Sequence, residues 1–434
     1  MMTTLPVSDG AAPMKVPLLL RMLLLIALAV PLAAGATPLH PGASDTTGSL
    51  TTSTAHPHHR KLHHVRHRRR ARVRHHARVR HHARAVRVSR HHRRYYRHRR
   101  HRYYERFTAS SYSDSQTVGD ITGGEDPIVR QAAVSALGDM NGTIVVINPA
   151  NGRILAMVNR QLALSSGAEP CSTIKLSVAL AALEEGIITK DTPVYLGHHF
   201  HMTLTQALAH SNNLYFETVG RRLGFDRVKY YANLFGLGEL AGYNIPGEHL
   251  GVYPDHVLPA SEGGVGRMCS FGESVSVTPL QLGALVAAIA NGGTLYYLQH
   301  PQTPEQVADF QPRIKRQLNI APILPAMDIG MADVVKFGTG RSVLANFKEF
   351  PVLGKTGTCS DHGTRFGWFG SYADTPYGRL VAVVFLEGGR PTYGPKAAEL
   401  AGIFYRNLEE QHYYTTLSPN PPATEPVTPA IATR

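Results

Sequence analysis

The sequence predicts an α+β domain: one mainly antiparallel, five-stranded sheet flanked by helices, with a helical insertion. Three observations predict it. Two β-rich runs lie side by side early in the chain, three more return near its end, and helix-period patterns fill the interval. The first pair, 142–147 and 153–158, is joined by Asn148-Pro149-Ala150-Asn151-Gly152, whose turn residues suit an antiparallel reversal. Helical patterns follow at 172–185, 204–220 and 279–290. Strand character returns at 351–353, 366–372 and 380–386, and 397–411 reads as a closing helix, so the globular domain is assigned to residues 127–412.

With 434 residues and 43% hydrophobic content, the chain can bury a full-sized core. The formal charge of +14 is not a property of that core. Residues 56–106 hold 20 Lys/Arg and one acid, Glu105, which is +19, so the remainder of the chain carries −5. The domain is mildly acidic and the basic character belongs to a tail.

That tail begins with Lys15 and Arg21 ahead of an apolar run, 22–33, and the small residues Ala34-Gly35-Ala36. Residues 1–36 therefore read as a signal peptide or an uncleaved membrane anchor, and the protein as exported to the periplasm or the outer face of the cytoplasmic membrane. The apolar run is short of the ~20 residues a spanning helix needs. Residues 37–55 are a Ser/Thr/Gly/Pro linker. The His/Arg segment 56–106 contains a hexad, Ala71-Arg72-Val73-Arg74-His75-His76, repeated at 77–82. It reads as an arm for an anionic wall or membrane surface, a metal-binding tract, a His-based pH switch, or a solvated tether. No specific nucleic acid is expected outside the cytoplasm. Residues 107–126 are read as a second linker and 413–434 as a disordered Pro-rich tail.

Chemistry enters at Ser172-Thr173-Ile174-Lys175. Residues three apart share a helix face, so a hydroxyl and an amine come within reach of one another. Placement at a helix N-terminus favours alkoxide over alcohol and disfavours the ammonium, which suits Lys175 as a base. Ser211-Asn212-Asn213 offers a hydroxyl to relay a proton and an amide to hold a carbonyl. Lys355-Thr356-Gly357-Thr358 lies on a strand, where Gly357 would let a substrate backbone approach closely. Each motif is weak alone: an N-cap serine, a polar turn and a strand end are the ordinary readings.

In this order and context, the three motifs resemble the active-site set of the penicillin-binding proteins and serine β-lactamases. Ser276-Val277-Thr278-Pro279-Leu280-Gln281-Leu282, running on to Ala290-Asn291-Gly292-Gly293, and Gly367-Trp368-Phe369-Gly370 are similar to segments of penicillin-binding protein transpeptidase domains. The resemblance covers about 127–411. It implies a β-lactamase/transpeptidase-like fold and serine acyl transfer on the D-Ala-D-Ala stem peptides of peptidoglycan, with β-lactam antibiotics as covalent inhibitors. It assigns Ser172 as nucleophile, Lys175 as general base, Ser211 as proton relay and Asn213 as a holder of the substrate amide. It also implies that Lys355, Thr356 and Thr358 hold the terminal carboxylate beside Gly357, and that the backbone N–H groups of Ser172 and Thr358 form the oxyanion hole. No metal or organic cofactor is implied.

Three departures qualify the likeness. Gly272-Glu273-Ser274 stands where the family commonly has Gly-Gln-Gly, bringing a negative charge near the site. Only 36 residues separate Lys175 from Ser211, a short interval for the family. Cys171 precedes the nucleophile and Cys359 follows the third motif, and the corresponding positions are bridged in carbapenem-hydrolysing class A β-lactamases. A Cys171–Cys359 disulfide is the expectation, with Cys269 as the free thiol. D,D-transpeptidase and D,D-carboxypeptidase stay undivided by sequence. The competing readings are a β-lactamase, against which stands the lack of a Glu-x-x-x-Asn element, and a non-catalytic cationic wall- or membrane-binding protein.

Overall fold

A computed structural model describes residues 106–417. Residues 1–36, read above as a signal peptide or anchor, the 37–55 linker, the His/Arg segment up to residue 105 and the Pro-rich stretch from 418 lie outside the described residues.

Helix α1, Pro127–Leu137, starts where Asp126 accepts the backbone N–H groups of Ile128 and Val129 at 3.0 and 3.1 Å and Pro127 presets the first turn. Strands β1, Gly142–Asn148, and β2, Arg153–Val158, form the expected hairpin. The insertion follows, with α2 at Lys175–Glu184, α3 at Leu204–Ala209, α4 at Asn213–Leu223, α5 at Pro279–Ala290 and α6 at Leu324–Lys336. Strands β3, Val352–Asp361, β4, Thr364–Thr375, and β5, Gly378–Gly388, complete the sheet before α7, Gly394–Glu409. The strand order is β2-β1-β5-β4-β3, antiparallel throughout. Two small hairpins, Val194–Gly197 with Phe200–Met202 and Thr294–Tyr296 with Ile314–Gln317, stand apart from it.

The period-2 alternation of the strands sorts the core into two layers. Val145, Ile147, Trp368, Tyr372, Val383 and Phe385 join the insertion, with α5 buried along its whole length. Ile144, Val146, Phe369, Ala382, Val384 and Leu386 face α1 and α7 instead. A sheet covered on both faces holds its strands rigidly, and β3, at its edge, is the strand that carries the third motif.

The structure differs from the sequence reading in four places. Helix 172–185 is divided, because Cys171 takes φ +51° and Cys171–Ile174 forms a 3₁₀ turn before α2. The 204–220 pattern breaks into α3 and α4 at Ser211, whose φ is +52°, and Asn212 caps the new start by accepting the Tyr215 N–H. Tyr413 and Tyr414, placed with the tail, are buried, their hydroxyls donating to Asp126 and the Tyr405 carbonyl.

The fourth difference is the stretch 107–126, which is woven into the domain. Ser111 is buried and its Oγ accepts from the Gly389 N–H at 2.9 Å. Asp120 accepts from Arg130 at 2.6 Å and from the backbone of Asn159 and Arg160, and Glu125 accepts from the Met157 N–H at 2.7 Å. These are polar anchors, invisible to a reading that looks for apolar periodicity. Asp120→Ala strands a half-satisfied guanidinium and two backbone donors, so it should lower unfolding free energy by about 2–4 kcal/mol. Urea denaturation measures this, and a loss below ~0.5 kcal/mol would show that the segment is dispensable.

Candidate active site

The turn bearing Ser172 is pinned against the sheet edge at three points, two on β3 and one, Trp368, on β4. Cys171 and Cys359 are bridged, with their Cα atoms 5.5 Å apart. Trp368 donates from Nε1 to the Glu169 carbonyl at 2.9 Å. At Gly357 a Cβ would come within 2.8 Å of the Pro170 carbonyl oxygen and 3.2 Å of Thr173, so only glycine lets the strand close on the turn. The close approach read from sequence at Gly357 is therefore made by the protein's own backbone.

Behind Ser172 stands Lys175, with no exposed surface. Its Nζ is 2.9 Å from Ser172 Oγ, 3.1 Å from Ser211 Oγ, 2.8 Å from the Ser211 carbonyl oxygen and 2.7 Å from Asn213 Oδ1. The last two neighbours can only accept. A neutral amine has two N–H donors for them, leaving its lone pair toward the Ser172 hydroxyl. Electrostatics favours that state: burial, then the charge of Lys355, pull the Lys175 pKa well below the usual lysine value, against a weaker opposing pull from Glu217.

Lys355 reaches the same point from β3. Its Nζ donates to Ser211 Oγ at 2.9 Å and to the Thr356 carbonyl at 3.0 Å, and burial lowers its pKa to about 7. Ser211 Oγ thus touches both lysines, as a hydroxyl held in a left-handed loop position can. Thr356 and Thr358 take the other face of the strand, as its period requires. Thr356 shares a 2.6 Å hydrogen bond with Thr339, and Thr358 Oγ1 accepts the Gly394 N–H at 2.8 Å. Ser172, Lys175, Ser211, Asn213 and Lys355 are joined in one hydrogen-bonded cluster. Thr356, Gly357 and Thr358 continue along its strand edge.

Glu273 is ion-paired with Arg267 at 2.9 Å. Its charge still acts on Glu169, whose pKa is pushed up to about 7 by burial first and then by Glu273 and Asp361. Cys269 is the free thiol, buried and pushed up to about 12 by that burial, an inert packing residue. Among the described residues no group of three or more His, Cys, Asp or Glu is placed to hold a metal.

Residues 142–408 match the family model described as "Penicillin binding protein transpeptidase domain". The chain belongs to this family. Among its curated relatives, Stage V sporulation protein D of Bacillus subtilis is 32% identical over 61% of this chain and 48% of its own length. Peptidoglycan D,D-transpeptidase MrdA of Acinetobacter baumannii is 25% identical over 63% of this chain and 51% of its own. The chain thus spans about half the length of these relatives. The crystal structure of Pseudomonas aeruginosa PBP2 aligns with a TM-score of 0.55 at 23% identity, covering 67% of this chain and 77% of that one, a likeness of fold.

Transpeptidase-domain motifs alone do not reveal every participant. Thr339, in Gly338-Thr339-Gly340, belongs to no such motif, although a hydroxyl between two glycines is a signal that backbone must come close there. Phe216, whose ring centroid lies 5.5 Å from Lys175 Nζ, and Gly394 carry no local signal, since both act through pairings distant in sequence.

Proposed function

We propose that this penicillin-binding protein is a D,D-transpeptidase or D,D-carboxypeptidase that attacks D-Ala-D-Ala stem peptides of peptidoglycan through a Ser172 acyl-enzyme. The observation that carries the reading is that Lys175 Nζ lies 2.9 Å from Ser172 Oγ while also meeting two obligate acceptors, the Ser211 carbonyl and Asn213 Oδ1, so that a neutral amine has its lone pair left for the Ser172 hydroxyl. Ser172 Oγ attacks the carbonyl between the two D-Ala residues as its proton passes to Lys175. The developing oxyanion is held by the Ser172 and Thr358 N–H groups, the contribution that is usually largest in acyl transfer. As the carbon–nitrogen bond breaks, Ser211 relays the proton from Lys175 to the departing amine, and free D-Ala leaves. Asn213 holds the substrate amide, while Lys355, Thr356 and Thr358 form the carboxylate end of the site. An amine of a second stem, or water, then displaces Ser172 from the acyl carbon. In a living cell the site would lie outside the cytoplasmic membrane, with residues 56–106 attached to an anionic wall or membrane surface.

Intact-protein mass spectrometry after exposure to benzylpenicillin tests the reading. A single adduct is expected on wild type and none on Ser172→Ala. A folded wild type that consumes no drug and gains no mass would overturn it. Cys171–Cys359 favours a second reading, β-lactamase. Nitrocefin separates the two, because one turnover followed by arrest belongs to a penicillin-binding protein and sustained hydrolysis to a lactamase.

A further inference from the structure

A cleft of about 380 Å³ that shares no residue with the hydrogen-bonded cluster opens between the loop at 241–245 and the segment joining Thr294–Tyr296 to Ile314–Gln317. Its size falls among small-ligand sites, which run from about 300 to 1,000 Å³. Tyr243, Asn244, Glu305, Gln306, Asp309 and Arg313 line it, and all six are exposed. Behind these side chains the backbone is clamped to the domain. The Tyr243 N–H donates to the Leu298 carbonyl at 2.8 Å, the Gln299 N–H donates to the Gly152 carbonyl at 3.0 Å, and the Gln299 carbonyl accepts from the Ile154 N–H at 2.8 Å. Gln299 Nε2 donates to the Gln311 carbonyl at 2.8 Å, and the buried His300 ring lies 3.2 Å from Glu125, which also accepts the Met157 N–H. A cleft fixed in this way pays little ordering cost when a ligand enters.

The lining selects the ligand by its chemistry. Tyr243 is held in orientation by the Arg313 guanidinium, 4.1 Å from its ring centroid, and by Tyr297, which meets it edge-on at 6.0 Å, yet it stays 37% exposed. Among the described residues, Glu305, Asp309 and Arg313 have no opposite charge within ion-pair distance, and the Asn244 amide and Asp309 carboxylate have no hydrogen-bond partner. Two carboxylates disfavour an anionic ligand, and the guanidinium disfavours a bare cation. A wholly apolar ligand would strand the amides and the charges. A sugar answers every group at once. Each hydroxyl both donates and accepts, so carboxylates, amides and guanidinium are satisfied together, while the C–H face of a pyranose ring packs on an aromatic ring.

We propose that this cleft is a saccharide-binding site that takes the N-acetylated hexosamines of a glycan strand, with Tyr243 as the stacking platform and Asn244, Asp309 and Arg313 as the polar contacts. The source of the sugar rests on the acyl-transfer reading, because peptidoglycan presents its stem peptides on such a strand. The site itself rests on its own lining. Holding the strand at a second point would make a stem still attached to glycan a better substrate than the same stem free in solution, since the second contact is made within one complex.

The test titrates the full chain with N-acetylchitotetraose, a neutral sugar that the charge of residues 56–106 does not attract, and follows binding by ligand-observed NMR. Saturable binding is expected in wild type. Tyr243→Ala and Asp309→Ala should each weaken it on the order of tenfold, and Tyr243→Phe, which keeps the ring, should retain it. Acylation of Ser172 by benzylpenicillin should be equal in all four proteins, which reports that the variants are folded. Glycan strands stripped of their stems should displace the tetraose, and strands that fail to do so overturn the assignment to a peptidoglycan strand. Absence of saturation in wild type, or equal binding by the folded alanine variants, overturns the site. Displacement of the tetraose by a free stem pentapeptide would make the cleft a peptide site and overturn the inference as well. If wild type binds the sugar while benzylpenicillin leaves Ser172 unmodified, the acyl-transfer reading falls and the saccharide site stands.

Discussion

Replacing Lys175 with methionine should lower the rate of Ser172 acylation by benzylpenicillin on the order of 10³-fold, the scale of a lost general base. The fold should survive, because a buried amine exchanged for an apolar side chain of similar length removes a desolvation cost and leaves the cavity filled. Melting temperature and acylation are therefore expected to part company, and a folded variant that is acylated at the wild-type rate would sink the assignment. The pH profile gives a second, independent signature. Lys175 acts as a base only when unprotonated, so wild-type acylation should fall as pH drops through its lowered pKa. Part of that lowering comes from Lys355, the nearest like charge. Lys355→Met removes the repulsion, makes Lys175 easier to protonate, and should move the acidic limb of the profile to higher pH. A limb that stays in place, measured by stopped-flow acylation across neutral and alkaline pH, would show that the two lysines do not share an electrostatic field.

These predictions use residues that were legible in the sequence, and the reason they were legible is local. Ser172 and Lys175 announce themselves by helical spacing, and Lys355 by a strand followed at once by Thr and Gly. The five strands could be read from β-rich runs because alternation is a property of neighbours. What escaped depends on partners far apart in sequence. Asp120 ties 107–126 to Arg130 and to the backbone of Asn159 and Arg160, yet polar anchoring leaves no periodic trace. The turn at Cys171–Ile174 replaces a helical start because Cys171 is held at positive φ against β3, which no propensity scale records. Gly357 shows the subtler limit: its need for a close neighbour was readable, but whether that neighbour was substrate or the chain's own Pro170 was decided by assembly.

Removing the disulfide with Cys171→Ala/Cys359→Ala should cost about 3–5 kcal/mol of unfolding free energy while leaving acylation at low temperature within about tenfold of wild type. The bond closes a loop of 188 residues, for which the chain-entropy argument gives ~5 kcal/mol, nearly all of it exerted on the unfolded chain. Alanine is the appropriate replacement, because Cys171 is fully buried and serine there would add an unpartnered hydroxyl. The folded turn, in turn, has other restraints: the Trp368 hydrogen bond to Glu169 and the packing of Pro170 and Thr173 on Gly357 both remain. Urea titration and acylation kinetics on the same preparation separate the two effects. If acylation collapsed while the protein stayed folded, the bond would be holding Ser172 in register with β3 and the entropic account would fail. If stability were untouched, the turn and the strand would already be ordered together in the unfolded chain. The expected pattern, a large loss of stability with chemistry nearly intact, would mean that the disulfide stabilises the transpeptidase domain and that Gly357 and Trp368 set the geometry of the nucleophile.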